Sequence, residues 1–147
     1  MKNLRTEIVI NASDIAVWKV LTDFDAYREW NPFVHIEGRP ALGESLVNTM
    51  YLDKNGKSQI FKPEIIRWDE YKGFSWLGSL FVPGLFDGEH YFELERLDDN
   101  QVKLIHGENF TGVLSWLIMK LIGEKTLAGF ERMNTALKIR VEAKKMH

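Results

Sequence analysis

Two histidines and one glutamate fall where strand alternation brings them together. Val102, Leu104, His106, Glu108 and Phe110 stand two apart, as do His90, Phe92 and Leu94. Side chains two apart on a strand share a face. Asp98-Asp99-Asn100 between the runs reads as a turn, so the runs form a hairpin. Their apolar faces must coincide, because a one-residue slip would turn one set to solvent. With the loop centred on Asp99, Phe92 lies opposite His106 and His90 opposite Glu108. Three uses fit this cluster. A buried His–Glu pair satisfies its own polar groups. A histidine beside a carboxylate titrates near neutrality, which suits binding a ligand's polar head or general acid–base work on it. Two His and one Glu also make a legitimate zinc or iron ligand set, but the spacing matches no recognised metal motif, so neither metal nor cofactor is expected.

Around this cluster the sequence is rich in aromatic residues. Five tryptophans, Trp18, Trp30, Trp68, Trp76 and Trp116, are many for 147 residues. Trp18 and Trp30 read as core. Trp76 and Trp116 are better placed to line a pocket, since small-molecule sites combine aromatic walls with a few placed polar groups. Met50, Met119 and Met133 would add an adaptable lining. The expected ligand-facing set is Met50, Trp76, Phe86, Phe92, Phe110, Trp116, Met119 and Met133. Apolar residues in the Pro/Gly loop Phe81-Val82-Pro83-Gly84-Leu85-Phe86 are costly if exposed. With Val113 to Ile122 they suit a cavity mouth first, an oligomer contact second and a shallow membrane-docking patch third.

The elements that must hold these residues follow from periodicity. Leu4, Thr6, Ile8 and Ile10 alternate as a strand. Asn11 and Ser13 offer N-caps for a helix whose apolar face is Ala16, Val17, Val20 and Leu21. A second short helix fits Asp25 to Trp30 and must stop at Asn31, because Pro32 disfavours helical geometry before it. From Val34 to about Phe110 the pattern is strand and turn: Ser45 to Leu52, the hairpin turn Asp53-Lys54-Asn55-Gly56, Ile60 to Trp68 with Pro63 marking an edge or bulge, Phe74 to Leu80, then the last hairpin. From Gly112 the period becomes helical, with Trp116, Met119, Gly123, Leu127, Phe130, Met133, Leu137 and Val141 recurring over nearly thirty residues. Only a broad sheet can cover so long a stripe, which makes the fold class α+β.

Composition narrows the function classes. The chain is 45% hydrophobic and 27% charged with a formal net charge of -2; that is globular, and it lacks the basic balance of a nucleic-acid binder. There is no cysteine, hence no disulfide, thiolate site or Cys nucleophile. No apolar run has the ~20 residues of a membrane span, nor does the N-terminus carry the apolar core of a signal peptide, so a cytoplasmic location is expected. Glycine-rich phosphate loops, G-x-S-x-G and H-E-x-x-H are absent. Asp23/Asp25 and Asp98/Asp99 read as caps and solvated turns.

The ordered set of motifs resembles the START-like helix-grip superfamily (SRPBCC), in particular its polyketide cyclase/dehydrase and lipid transport branch. Ile8-Val9-Ile10-Asn11-Ala12-Ser13 with Val17-Trp18 and Leu21-Thr22-Asp23-Phe24 looks like its first strand and helix. Tyr27 and Trp30-Asn31-Pro32-Phe33 look like its second helix and exit. Gly88, His90-Tyr91-Phe92, His106-Gly107-Glu108-Asn109-Phe110 and Gly112 look like its last strands, and Phe130-Glu131-Arg132-Met133-Asn134 with Ala136-Leu137-Lys138 like its terminal helix. The resemblance covers residues 1–147 as one domain. It implies a seven-stranded curved antiparallel sheet around the long C-terminal helix, two short helices after strand one, and a cavity between sheet and helix. Functionally it implies binding or carriage of a hydrophobic or amphipathic small molecule by a monomer or homodimer. The alternatives are a cyclase, dehydratase or hydrolase using His90, His106 and Glu108, and a co-chaperone-like protein-interaction domain. No nucleic-acid partner and at most transient membrane contact are implied.

Overall fold

The longest strand pair forms because its sequences alternate in step. In the computed structural model, which describes residues 2–52, 57–80 and 82–145, β7 (Phe86–Asp98) and β8 (Gln101–Thr111) form an antiparallel hairpin. Its register sets Phe92 opposite His106 and His90 opposite Glu108, as the coincidence of apolar faces predicts. On the far side of β8 lies β1 (Lys2–Ile10), with Thr6 opposite His106 and Ile10 opposite Val102. The expected hairpin turn Asp53-Lys54-Asn55-Gly56, and Phe81 of the apolar loop, lie outside the described residues.

After β1, α1 (Asp14–Thr22) is capped by the Ser13 side chain, which accepts from the Ala16 amide at 3.1 Å. It buries Val17, Trp18, Val20 and Leu21. A 3-10 turn (Phe24–Ala26) leads into α2 (Tyr27–Trp30). That helix ends at Asn31, whose Oδ1 accepts from the amides of Phe33 and Val34 at 2.9 and 3.1 Å. The side chain thus turns the chain out of the helix where Pro32 forbids its continuation.

The strand count differs from the expected seven: among the described residues there are eight. β2 (Val34–Glu37), β3 (Val47–Tyr51) and β4 (Ser58–Phe61) form one three-stranded sheet. The other sheet has five strands in the order β1-β8-β7-β6-β5, with β5 as Glu64–Asp69 and β6 as Gly73–Leu80. The extra strand arises because the stretch from Ile60 to Trp68 is broken at Pro63, which has no N–H for a ladder. Its carbonyl still accepts from Leu46 at 2.8 Å, and a bridge pairs Ser45 with Glu64. These contacts tie the two sheets into one curved wall.

The wall wraps α3 (Ser115–Lys145), 31 residues long. Thr126, Phe130, Met133, Leu137 and Val141 of α3 are buried. The expected stripe holds from Gly123 onward but is displaced in the first two turns. Trp116 is 60% exposed, and Ile118 and Ile122 face inward instead. Counting back from Thr126 by one turn reaches Ile122 and then Ile118, and the polar Thr126 hid that line among apolar neighbours. At the end of the sheet near Gly73 the core is aromatic. Trp18 packs edge-on against Trp68 and Phe74 at 5.2 and 5.8 Å, and Phe74 lies 5.0 Å from Phe92.

Candidate functional site

Alternation along β7 and β8 turns His90, Phe92, His106 and Phe110 into the interior. His106 is fully buried and His90 nearly so. Glu108, opposite His90, keeps 14% of its side chain accessible. Gly88 makes room for it, since a Cβ there would collide with Glu108 Oε2. The two histidine rings are hydrogen-bonded Nε2 to Nε2 at 2.7 Å. Phe130 of α3 stacks on His106 at 4.3 Å and meets His90 at 4.9 Å. Trp76 stacks on His90 at 4.9 Å.

The proton positions follow from the anchored end of this chain. The Thr6 hydroxyl donates to the His106 carbonyl at 2.8 Å, so it accepts from Asn134 Nδ2, also at 2.8 Å. Asn134 Oδ1 therefore faces His106 Nδ1 as acceptor at 2.8 Å, and His106 donates there. Neutral His106 carries its lone pair on Nε2, so His90 donates its Nε2–H to it. His90 Nδ1 is left with a lone pair, 3.4 Å from Glu108 Oε1. Burial holds every member uncharged. It pushes the His90 imidazole down to about 3, and lowers His106 strongly, helped by the neighbouring His90. The Glu108 carboxyl is raised by burial to about 8. At neutral pH Glu108 is thus a carboxylic acid whose O–H can serve the free lone pair of His90 or a ligand.

This arrangement does not suit a metal. The two Nε2 atoms face one another, and Glu108 meets the opposite nitrogen of His90, so the three donors do not converge on one point. Among the described residues no group of three His, Asp or Glu side chains is arranged to hold an ion.

Glu108 and His90 form part of the wall of a partly open cavity of about 240 Å³ between the sheet and the first half of α3. Trp76, Phe86, Phe110, Met50, Ile118 and Ile122 supply its apolar surface. Phe86 and Phe110 stack face to face at 5.1 Å. Of the expected ligand-facing residues, the fold brings Met50, Trp76, Phe86 and Phe110 to this cavity. Phe92 and Met133 lie fully buried behind it in the core. Trp116 and Met119 stand apart from its wall because of the shifted helical stripe. Leu80, the last residue of β6, and Phe86, the last residue of the apolar loop, reach the cavity, and Val82, Val113, Trp116, Leu117 and Leu121 are exposed. A second groove of about 400 Å³, between α1 and the end of α3, holds Lys19, Asp23 and Trp30 but none of the cluster.

Sequence reasoning missed four polar residues. Asn134 and Thr6 orient the histidines, and Thr126 and Asn48 lie on the cavity wall. The i, i+4 relation of Asn134 to the buried Phe130 was the available signal for the first. Thr6 was legible as an inward strand position. For Asn48 and Thr126 only the inward phase of β3 and α3 was informative.

A curved antiparallel sheet closed on a long terminal helix, with a polar cluster at the wall of an apolar cavity, defines a helix-grip protein. The chain belongs to the family described as polyketide cyclase / dehydrase and lipid transport, whose profile matches residues 1–142. Among solved structures it is similar to a START superfamily protein from Mycobacterium smegmatis, with 20% identity, a TM-score of 0.71 and coverage of 96% of this chain and 97% of that one. The Zhui aromatase/cyclase of a Streptomyces species has 15% identity and a TM-score of 0.72, covering 96% and 93%. A Thalictrum flavum norcoclaurine synthase point mutant in complex with a transition state analogue has 13% identity and a TM-score of 0.71, covering 98% and 96%. These likenesses are of fold. No curated protein matches the chain. Among the described residues no helix is long and apolar enough to cross a membrane.

Proposed function

We propose that this protein holds an uncharged, largely apolar small molecule in the cavity between sheet and α3, with the molecule's polar end at Glu108. One observation carries the reading: a carboxyl that burial keeps protonated near neutral pH forms part of an otherwise aromatic and aliphatic wall. The cavity volume of about 240 Å³ suits a molecule of one or two rings. Membership of a family with lipid transport in its description supports carriage.

The direction of the hydrogen-bond chain favours a second reading, acid–base catalysis at Glu108. Asn134 ends the chain with an amide, which does not pass protons on, so the exchangeable proton of the site stays at the Glu108 end, where His90 Nδ1 lies 3.4 Å away. Such a site returns what it gives. Glu108 protonates a ligand hydroxyl, water leaves, and the resulting carboxylate removes a proton from the adjacent carbon. The net reaction is loss of water, with the site restored. His106, Asn134 and Thr6 are positioning residues in this scheme.

Native mass spectrometry of protein purified without detergent, followed by extraction of anything bound, tests the first reading. The expected result is a small neutral compound whose binding is lost in Ile122→Phe, which fills the cavity. Equal retention of the same compound by that variant would place binding elsewhere. The catalytic reading requires in addition that Glu108→Gln retain the compound but not convert it.

A further inference from the structure

Four glycines lie within the strands of the five-stranded sheet, and the protein itself uses three of them. A Cβ at Gly73 would collide with Arg67 and the Phe92 carbonyl, at Gly88 with Glu108, and at Gly107 with Tyr91 and the Leu4 carbonyl. Among the described residues a Cβ at Gly78 would touch only Pro63, at 3.4 Å, an ordinary contact. Gly78 has no left-handed torsion, and β6 pairs with β7 without a register shift from Gly73 to Leu80. Yet glycine weakens a strand interior, through backbone entropy and the missing side chain. With no bulge, positive φ or crowding to require it, the usual reasons left are a bend of the strand and the close approach of a ligand. Gly78 lies on the cavity wall, which favours the second.

The surroundings say what approaches. Phe74, Trp76, Gly78 and Leu80 share one face of β6, and Phe86, Gly88, His90 and Phe92 share the same face of β7. Rings cover this face on both sides of the glycines. Phe74, Trp76, His90 and Phe92 meet at 4.9–6.0 Å on one side, and Phe86 stacks on Phe110 on the other. Gly78 and Gly88 stand opposite each other and interrupt the row. Glu108 takes the space over Gly88, whereas the space over Gly78 is open to the cavity.

We infer that Gly78 is the specificity-determining position of this cavity: a flat aromatic ring of the ligand lies against the bare backbone there, between Trp76 and Leu80, and completes the interrupted row of rings with its polar substituent at Glu108. The inference rests on the cavity being the binding site, and it selects among molecules that fit there. The space left by one inward side chain is about 7 Å along the strand, two residues' rise, and about 4.8 Å across. That space admits the edge of a flat ring and is tight for a puckered one. A flexible chain gains no stacking in it.

The test compares three neutral alcohols of equal carbon count, naphthol, decahydronaphthol and decanol, titrated against the full chain and followed by tryptophan fluorescence and calorimetry. Naphthol is expected to bind roughly two- to tenfold more tightly than decahydronaphthol, the gain of an aromatic contact beyond its area. In Gly78→Val, which fills the position, naphthol affinity should fall at least about tenfold, as for a group forced into occupied space, and its preference over the saturated alcohols should vanish. Gly78→Ala should weaken naphthol by a smaller step and melt at or above the parent temperature, because a strand position with ordinary torsions gains from a side chain. Naphthol binding no tighter than decahydronaphthol, equal naphthol affinity in the parent and Gly78→Val, or a lower melting temperature in Gly78→Ala, the mark of a strand that needs glycine to bend, would overturn the role of Gly78 and leave the cavity standing. Binding of none of the three, or naphthol binding that persists in the cavity-filled Ile122→Phe, would overturn the cavity reading and the inference with it. The probe comparison in the parent and the Gly78→Ala variant are decisive even if Gly78→Val fails to fold.

Discussion

The two ends of the space between sheet and helix are built from the same strands and packed differently. At the end near Gly73, Trp18, Phe24, Trp68, Phe74 and Phe92 meet through ring contacts of 5.0–5.9 Å, and α3 fills the remainder with Met133, Leu137 and Val141. At the other end Phe86, Phe110 and Trp76 are as large, but α3 answers them with Ile118, Ile122 and Thr126. The cavity therefore comes from the helix, whose first half lacks aromatic side chains on its inward face, and not from a gap in the sheet. The histidine pair lies on the boundary, with Phe92 stacked at 4.4 Å on one side and the cavity on the other. That position explains the electrostatics. The cluster is dry enough to stay neutral, and Glu108, the more accessible of its two members on the cavity wall, is the one a ligand can reach.

The largest expected effect comes from removing the residue that separates the two ends. Phe130 is fully buried against His90, His106 and Phe33. Phe130→Ala should cost about 3–5 kcal/mol of stability, the usual range for a large aromatic deleted from a packed site. It should also join the packed end to the cavity and wet the histidines. Denaturant unfolding measures the first. A loss under about 1 kcal/mol would mean that the boundary is already loose and that the contrast between the ends is overstated.

An intermediate effect sharpens the comparison through pH. The folded protein keeps a proton on Glu108 up to about pH 8, whereas the unfolded chain releases it near 4.5. The native state then binds more protons, so this group lowers stability as pH rises through that window. The histidines act oppositely. Unfolded His90 takes up a proton below about 6.5 that the folded protein refuses until about 3, and His106 is shifted the same way, so stability falls on acidification below 6.5. The cluster's contribution should peak near pH 6.5. From there to pH 8 the parent protein should lose about 2 kcal/mol relative to Glu108→Gln. Guanidinium midpoints of the two proteins measured across this range check it; parallel curves above pH 6.5 would show that Glu108 is ionised in the folded state and that its end of the cluster is wet.

The hairpin register, the facing of His90 with Glu108 and the long terminal helix were legible in the sequence because each rests on a period that burial enforces. The family resemblance supplied what periodicity cannot, namely that sheet and helix stand apart over part of their length. The split of β4 from β5 was signalled by Pro63, but whether a proline ends a strand or only bulges it depends on what its carbonyl can find, here the Leu46 amide. The first turns of α3 were misread for a plain reason: the inward line Ile118, Ile122, Thr126 ends on a threonine, while Trp116 and Met119 look more apolar than the positions that replace them. Asn134 and Asn48 were opaque, since an asparagine at an inward position has meaning only once its partners, or their absence, are known.

The smallest expected effect tests the contrast most directly. Ile122→Phe adds volume at the cavity end, where the added ring can enter open space. Leu137→Phe adds the same kind of volume where the parent side chain is fully buried. Overpacking a filled core costs about 1–3 kcal/mol, through off-rotamer side chains and backbone shifts. The Leu137 variant should show that cost, and the Ile122 variant should change stability by less than about 1 kcal/mol, because new contacts inside the cavity offset any strain at its edge. Thermal and denaturant unfolding of the pair decide it. Equal losses would mean that both ends are filled. A stable Ile122→Phe beside a destabilised Leu137→Phe would show that the first half of α3 stands off the sheet, and would make any loss of ligand binding in Ile122→Phe a matter of occupied space and not of unfolding.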